Sequence, residues 1–125
     1  MPMNENINIQ YNDWGATLKI KDGNKLADPE ILNMVKSMIN QLRHVDKKRL
    51  LIFGMENIAL KETVDLYQEI DLFEKLGGNG FKVAFVAPHR VNDEHAKFAE
   101  LVGVNRGILI KYLASEKEAI LWLMS

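Results

Sequence analysis

The residues with the most chemical potential lie between positions 88 and 95, reading Pro-His-Arg-Val-Asn-Asp-Glu-His. Here His89, Arg90, Asp93 and His95 gather where an apolar run (residues 81–87) gives way to a helix start. That place matters because open α/β sheets bind ligands outside the carboxyl ends of their strands. Arg90, beside the N–H groups of a helix start at Asn92 and Asp93, could hold a small anion or touch a partner. His89, Asp93 and His95 could together take a metal, although their spacing matches no established ligand pattern. The simpler reading of the same residues is a solvated loop and a helix cap.

Other kinds of chemistry find less support. A nucleophilic serine needs exposure and a nearby base, whereas Ser37 falls within a helical pattern, Ser115 caps one and Ser125 is the last residue. Aspartyl phosphorylation needs an aspartate at the end of a central strand, and the run Leu50–Phe53 is followed by Gly54 and Met55. The Gly77-Gly78-Asn79-Gly80 stretch follows a helix and precedes a strand, the reverse of a phosphate-cradling loop. The chain has no cysteine, which excludes disulfides, thiolate nucleophiles and sulfur-ligated metals. We therefore expect no enzyme, no cofactor and no metal.

An apolar site is the other candidate. Met34, Met38, Met55 and Tyr67 could line an adaptable pocket for a small apolar ligand, since methionine repacks around varied shapes. Ordinary core packing explains them equally well. Trp122 falls beside the inner stripe of the last helix, where it could join two copies into a homodimer.

These residues must be positioned by elements that the patterning makes legible. Ile7, Ile9 and Tyr11 alternate with polar residues, as do Leu18 and Ile20, and Asn12-Asp13-Trp14-Gly15 between them predicts a β-hairpin with one wet face. Asp28-Pro29-Glu30 starts a helix whose apolar face is Ile31, Leu32, Val35, Met38, Ile39 and Leu42, ending near His44. Leu50–Phe53 reads as a strand buried on both faces, feeding a helix from about Leu60 to Leu76 that the glycines stop. Residues 81–87 form the next strand. Asn92-Asp93-Glu94 opens a third helix carrying Phe98, Ala99 and Val102 inward and ending at Gly103. A last strand spans about Gly107 to Tyr112, and Ser115 to Glu118 is a capping box that starts a final helix with Ala119, Ile120 and Leu123 inside.

The order β-β-α-β-α-β-α-β-α predicts a single α/β domain with a mixed, mostly parallel five-stranded sheet and four helices. If each strand is added beside the last, all crossover helices share one face, and the wet hairpin face argues for a sheet left uncovered on the other. With 16 basic and 17 acidic residues in 125, the chain has no footprint for nucleic acid. The basic run from His44 to Arg49 reads as a solvated loop. No signal peptide or membrane span is legible, so a cytoplasmic location is expected.

This element order resembles the SpoIIAA-like fold of STAS domains, especially the small free-standing bacterial proteins labelled STAS/SEC14. The resemblance covers nearly the whole chain. It rests also on the strand-proline stretch Lys82 to Arg90 (KVAFVAPHR) and on the ending Tyr112 to Leu123 (YLASEKEAILWL), which is similar to the family's strand, acidic cap and terminal helix. It implies a regulatory or protein-interaction module, or, from the SEC14 side, a carrier of an apolar or lipid-like ligand. In antagonist members an aspartate and two serines follow the central strand, and a kinase modifies one serine. Laid on this chain without gaps, Glu62 matches the aspartate, Thr63 the first serine and Val64 the serine usually modified. Valine cannot accept a phosphoryl group, and Glu62 and Asp65 would repel one placed on Thr63.

Overall fold

The computed structural model describes residues 7–21, 29–53, 68, 70–88, 91 and 93–125, with the backbone alone at His95. The hairpin strands are β1 (Ile7–Tyr11) and β2 (Gly15–Ile20), followed by α1 (Pro29–His44) and β3 (Arg49–Phe53). Helical residues 70–73 run into a π-helical turn, Glu74–Gly78, and together these are α2. The chain continues through β4 (Lys82–Val86), α3 (Glu94–Asn105), β5 (Leu109–Leu113) and α4 (Glu116–Met124).

The five strands lie in the order β1-β2-β3-β4-β5, with β1 antiparallel to β2 and all later neighbours parallel. Adding each parallel strand beside the last with one crossover hand puts the intervening helices on one face. The core obeys: Leu50 and Ile52 of β3 and Val83 of β4 pack with Ile31, Val35, Met38, Ile39 and Leu42 of α1, Ile70 of α2, and Ala96, Ala99 and Val102 of α3. The central strand is buried on both faces, as its unbroken apolar run implied, because Leu51 points the other way.

That second face corrects an expectation. It is not bare: α4 lies across it, burying Ala119 and Leu123 against Leu51 and Ala84, with Trp14, Phe53, Val86, Leu113, Ile120 and Trp122 around them. Among the described residues no strand follows α4, so no crossover rule decides its face. The hairpin end of that face does stay wet, with Asn8, Gln10 and Lys19 exposed.

Helix ends show how local chemistry sets the boundaries. Gly77 (φ 96°) and Gly80 (φ 91°) supply the left-handed conformations that stop α2. At the end of α1 the same task falls to Asp46 (φ 56°): Lys47 N–H donates to the Leu42 carbonyl at 2.9 Å and Asp46 N–H to that of Arg43 at 3.2 Å. Helix α3 runs two residues past Gly103 and turns at Gly107 (φ 76°), where Ile108 N–H reaches back to the Gly103 carbonyl at 2.8 Å. Gly103 serves packing instead, because a Cβ there would lie 2.7 Å from Ile110 Cδ1 and 2.8 Å from the Ile108 carbonyl oxygen.

Candidate functional site

At the carboxyl ends of β4 and β5, the Phe85 and Tyr112 rings stack with centroids 4.9 Å apart. Pro88 stands exposed beyond β4, and α3 begins alongside, its first-turn N–H at Lys97 donating to the Asp93 carbonyl at 3.1 Å. Asp93 is half-buried in the cap position and engaged, so it belongs to the helix start as much as to any ligand site. His95 lies in the first turn of α3. His89 and Arg90 lie outside the described residues, as do Met55, Glu62, Thr63, Val64 and Tyr67. Among the described residues no three His, Cys, Asp or Glu side chains converge on a point that could hold a metal.

Of the apolar candidates, Met38 is fully buried in the core, and Met34 is half-buried against it. Both fill the seam between α1 and the sheet.

The residues that sequence reasoning placed least well are on α3. Phe98, expected inward, is 38% exposed, and Leu101 and Val104 are 60% and 55% exposed. The inner face is made of Ala96, Ala99 and Gly103, with Val102 beside them. Small residues let the helix approach β5 closely, and the bulky apolar residues, spaced by three, are turned to solvent. The signal was present in the sequence as small residues at positions 96, 99 and 103, a helical spacing that marks close approach rather than a weak core face.

The opposite end of the sheet carries a basic pair, of which Arg49 ends the run that reads in sequence as a solvated loop and Lys82 starts a strand. Arg49 and Lys82, in register at the starts of β3 and β4, both reach the C-terminal turn of α4. Arg49 Nε donates to the Leu123 carbonyl at 2.8 Å. Lys82 Nζ donates to the Trp122 carbonyl at 2.6 Å and to the Ser125 carbonyl and hydroxyl at 3.2 Å each, and sits 4.6 Å from the Trp122 ring centroid. Burial, and then the neighbouring Arg49 charge, push the Lys82 ammonium below its ordinary pKa. Two cations at the negative end of a helix make an anchor, not a reactive centre. Trp122, considered for an oligomer contact, is half-buried in this anchor.

A second charged cluster ties α2 to the α3–β5 turn. Arg106 Nη1 donates to Asp71 and, at 2.9 Å, to Glu74, and Lys75 reaches Asp71 at 3.1 Å. Hydrogen bonds from Lys75 and then Arg106 hold the Asp71 carboxyl below the usual carboxylate range. Arg43 similarly ties α1 to the end of α2, donating to the carbonyls of Gly77 and Asn79.

No protein-family model, no curated protein and no solved structure matches the chain. Among the described residues no helix is long and apolar enough to cross a membrane.

Proposed function

We propose that the chain is a STAS-like interaction or regulatory module that acts through surface contact, without catalysis and without the serine switch of the antagonist members. The strand order, with three helices on one face, is what the SpoIIAA-like resemblance leads one to expect. The observation that carries the functional reading is the outer face of α3. Phe98, Leu101 and Val104 lie spaced by three on the exposed side of a helix whose buried face is made of other residues. Exposed large apolar residues grouped on one helix are a feature of partner-binding surfaces. The stripe starts next to the carboxyl ends of the strands, so Asp93 and His95 would stand at the edge of the same contact.

The carrier reading, with a small apolar ligand, draws less support because Met38 and Met34 are spent on the core. A photo-crosslinking amino acid placed at Leu101 in the protein's own host distinguishes the two. The interaction reading expects a discrete crosslinked protein at Leu101 and none from Lys36, an exposed position on α1. No adduct at Leu101 above the Lys36 background, together with a co-purifying small molecule in native mass spectrometry, would favour the carrier.

A further inference from the structure

The two edges of the sheet are treated differently. At β5, Leu109 N–H donates to the Phe81 carbonyl and Ala87 N–H to that of Leu113, so these residues face β4 and Tyr112 turns its N–H outward. That N–H is taken by a side chain: Glu100 Oε2 of α3 accepts it at 3.2 Å, and exposed Lys111 stands beside it. Buried charge partners and lysines are how native sheets blunt an edge.

At β1 none of these devices is found among the described residues. Asn12 N–H donates to the Gly15 carbonyl at 3.0 Å, closing the hairpin, so the alternate residues Gln10 and Asn8 bond to β2. The backbone N–H and C=O groups of Ile7, Ile9 and Tyr11 therefore point away from the sheet. Among the described residues no strand lies beyond β1. Its sequence, Ile-Asn-Ile-Gln-Tyr, has no charge, proline or glycine.

We infer that β1 is the dimerisation edge of this protein, pairing antiparallel with β1 of a second copy about a two-fold axis at Ile9. The argument for a second copy, rather than a foreign strand, is that the segment is complementary to itself. Antiparallel pairing about Ile9 sets Ile9 against the partner's Ile9, Ile7 against the partner's Tyr11 and Asn8 against the partner's Gln10. Apolar side chains meet apolar ones on the helix-covered face, and amides meet amides on the wet face. The half-buried Ile9 and the Tyr11 ring, 49% exposed in the single chain, both gain cover. The outward N–H and C=O groups of Ile7, Ile9 and Tyr11 find their partners, and the two five-stranded sheets become one of ten strands. A contact of this size belongs to the weaker, concentration-dependent class of interfaces. It uses a surface remote from α3 and stands whether or not the module reading holds.

The register gives the test. Position 8 faces position 10 of the partner, and both side chains are exposed. Two double variants, N8E/Q10E and N8E/Q10K, share a glutamate beside Lys19 within the chain and give it opposite charges to meet across the axis. Sedimentation equilibrium of the wild type over rising concentration should show a monomer–dimer equilibrium. N8E/Q10E should weaken it roughly tenfold, from like charges directly opposed in two places, and N8E/Q10K should hold it at or above wild-type strength. Far-UV circular dichroism checks that both fold. A wild type that stays monomeric up to about 1 mM, the weak end of the affinity scale, overturns the inference. So does a dimer indifferent to both variants, and its loss in Leu101→Lys would then put the interface on α3.

Discussion

Arg49 Nε donates to the Leu123 carbonyl at 2.8 Å, joining the first residue of β3 to the last turn of α4 across 74 positions of sequence. With Lys82 it fastens the C-terminal end of the helix to the second face of the sheet, over four fully buried side chains among the described residues. A helix with so small a core depends on its anchor. Arg49→Met should cost about 1.5 kcal/mol in urea unfolding, the range for a hydrogen bond from a charged donor. Lys82→Met should cost less, about 0.5 kcal/mol, because burial and Arg49 already disfavour the ammonium there. Equal losses in the two variants would mean that the Lys82 charge is not penalised by its site.

Close backbone approach makes a second prediction. A Cβ at Gly15 would lie 1.8 Å from the Arg49 carbonyl oxygen, an atom held in the β2–β3 ladder. Gly15→Ala must therefore separate two strands at their first paired residues, with a loss of about 3 kcal/mol, the upper part of the overpacking range. Gly103→Ala meets the movable end of Ile110 as well as a carbonyl, and alanine's better helix propensity offsets about 1 kcal/mol of the clash. Thermal and denaturant unfolding should rank Gly15→Ala well below Gly103→Ala.

The Asp71 cluster sets a pH dependence whose direction follows from its partners. Lys75 and Arg106 favour the ionised carboxylate, so its pKa in the folded chain lies below the ordinary carboxylate value. A depressed carboxylate contributes stability above the unfolded pKa and loses it as pH falls through the folded one. The gap in unfolding free energy between wild type and Asp71→Asn should be constant above about pH 5 and close as the medium is acidified below that. A gap that is unchanged at pH 2 to 3 would show that the ion pairs give Asp71 no net preference for its charged form.

Much of this architecture is legible in residue order, and the failures share a physical cause. The hairpin, the central strand and α1 announce themselves because each has one side wet or none, so periodicity reports burial directly. Helix α3 misleads because distance, not hydrophobicity, decides its inner face. Against β5 only Ala96, Ala99 and Gly103 fit, and the Phe98 ring that a hydrophobic scale assigns to the core is left outside. Gly103 looks like a stop for the same reason, while the residue that turns the chain is Gly107, four positions on. The second face escapes sequence reading because the rule that places crossover helices needs a following strand, and among the described residues none follows α4. The candidate site was legible only as a location: Asp93 and His95 do fall at a strand's carboxyl end beside a helix start, but the resemblance to STAS domains rests on element order and soft motifs that no comparison matches.

The inverted face of α3 yields the sharpest contrast between stability and function. Leu101→Lys replaces an exposed side chain and relieves the protein of apolar surface, so its unfolding free energy should stay within about 0.5 kcal/mol of wild type. Ala99→Leu inserts three heavy atoms where the helix meets the sheet with the alanine fully buried, and should cost 1–3 kcal/mol, by roughly the overpacking range. A reading of α3 from hydrophobicity alone gives the reverse order, since it puts Phe98 and its neighbours inside and treats alanine as filler. With the photo-crosslinking amino acid moved to Phe98, and the outer stripe as the partner contact, Leu101→Lys keeps its fold and loses the crosslinked partner, whereas Ala99→Leu loses both together. Measuring stability and crosslinking on the same two variants separates a surface kept for binding from one that is merely tolerated: a Leu101→Lys chain that is stable and crosslinks from Phe98 as strongly as a chain with Leu101 intact removes the stripe from the interaction.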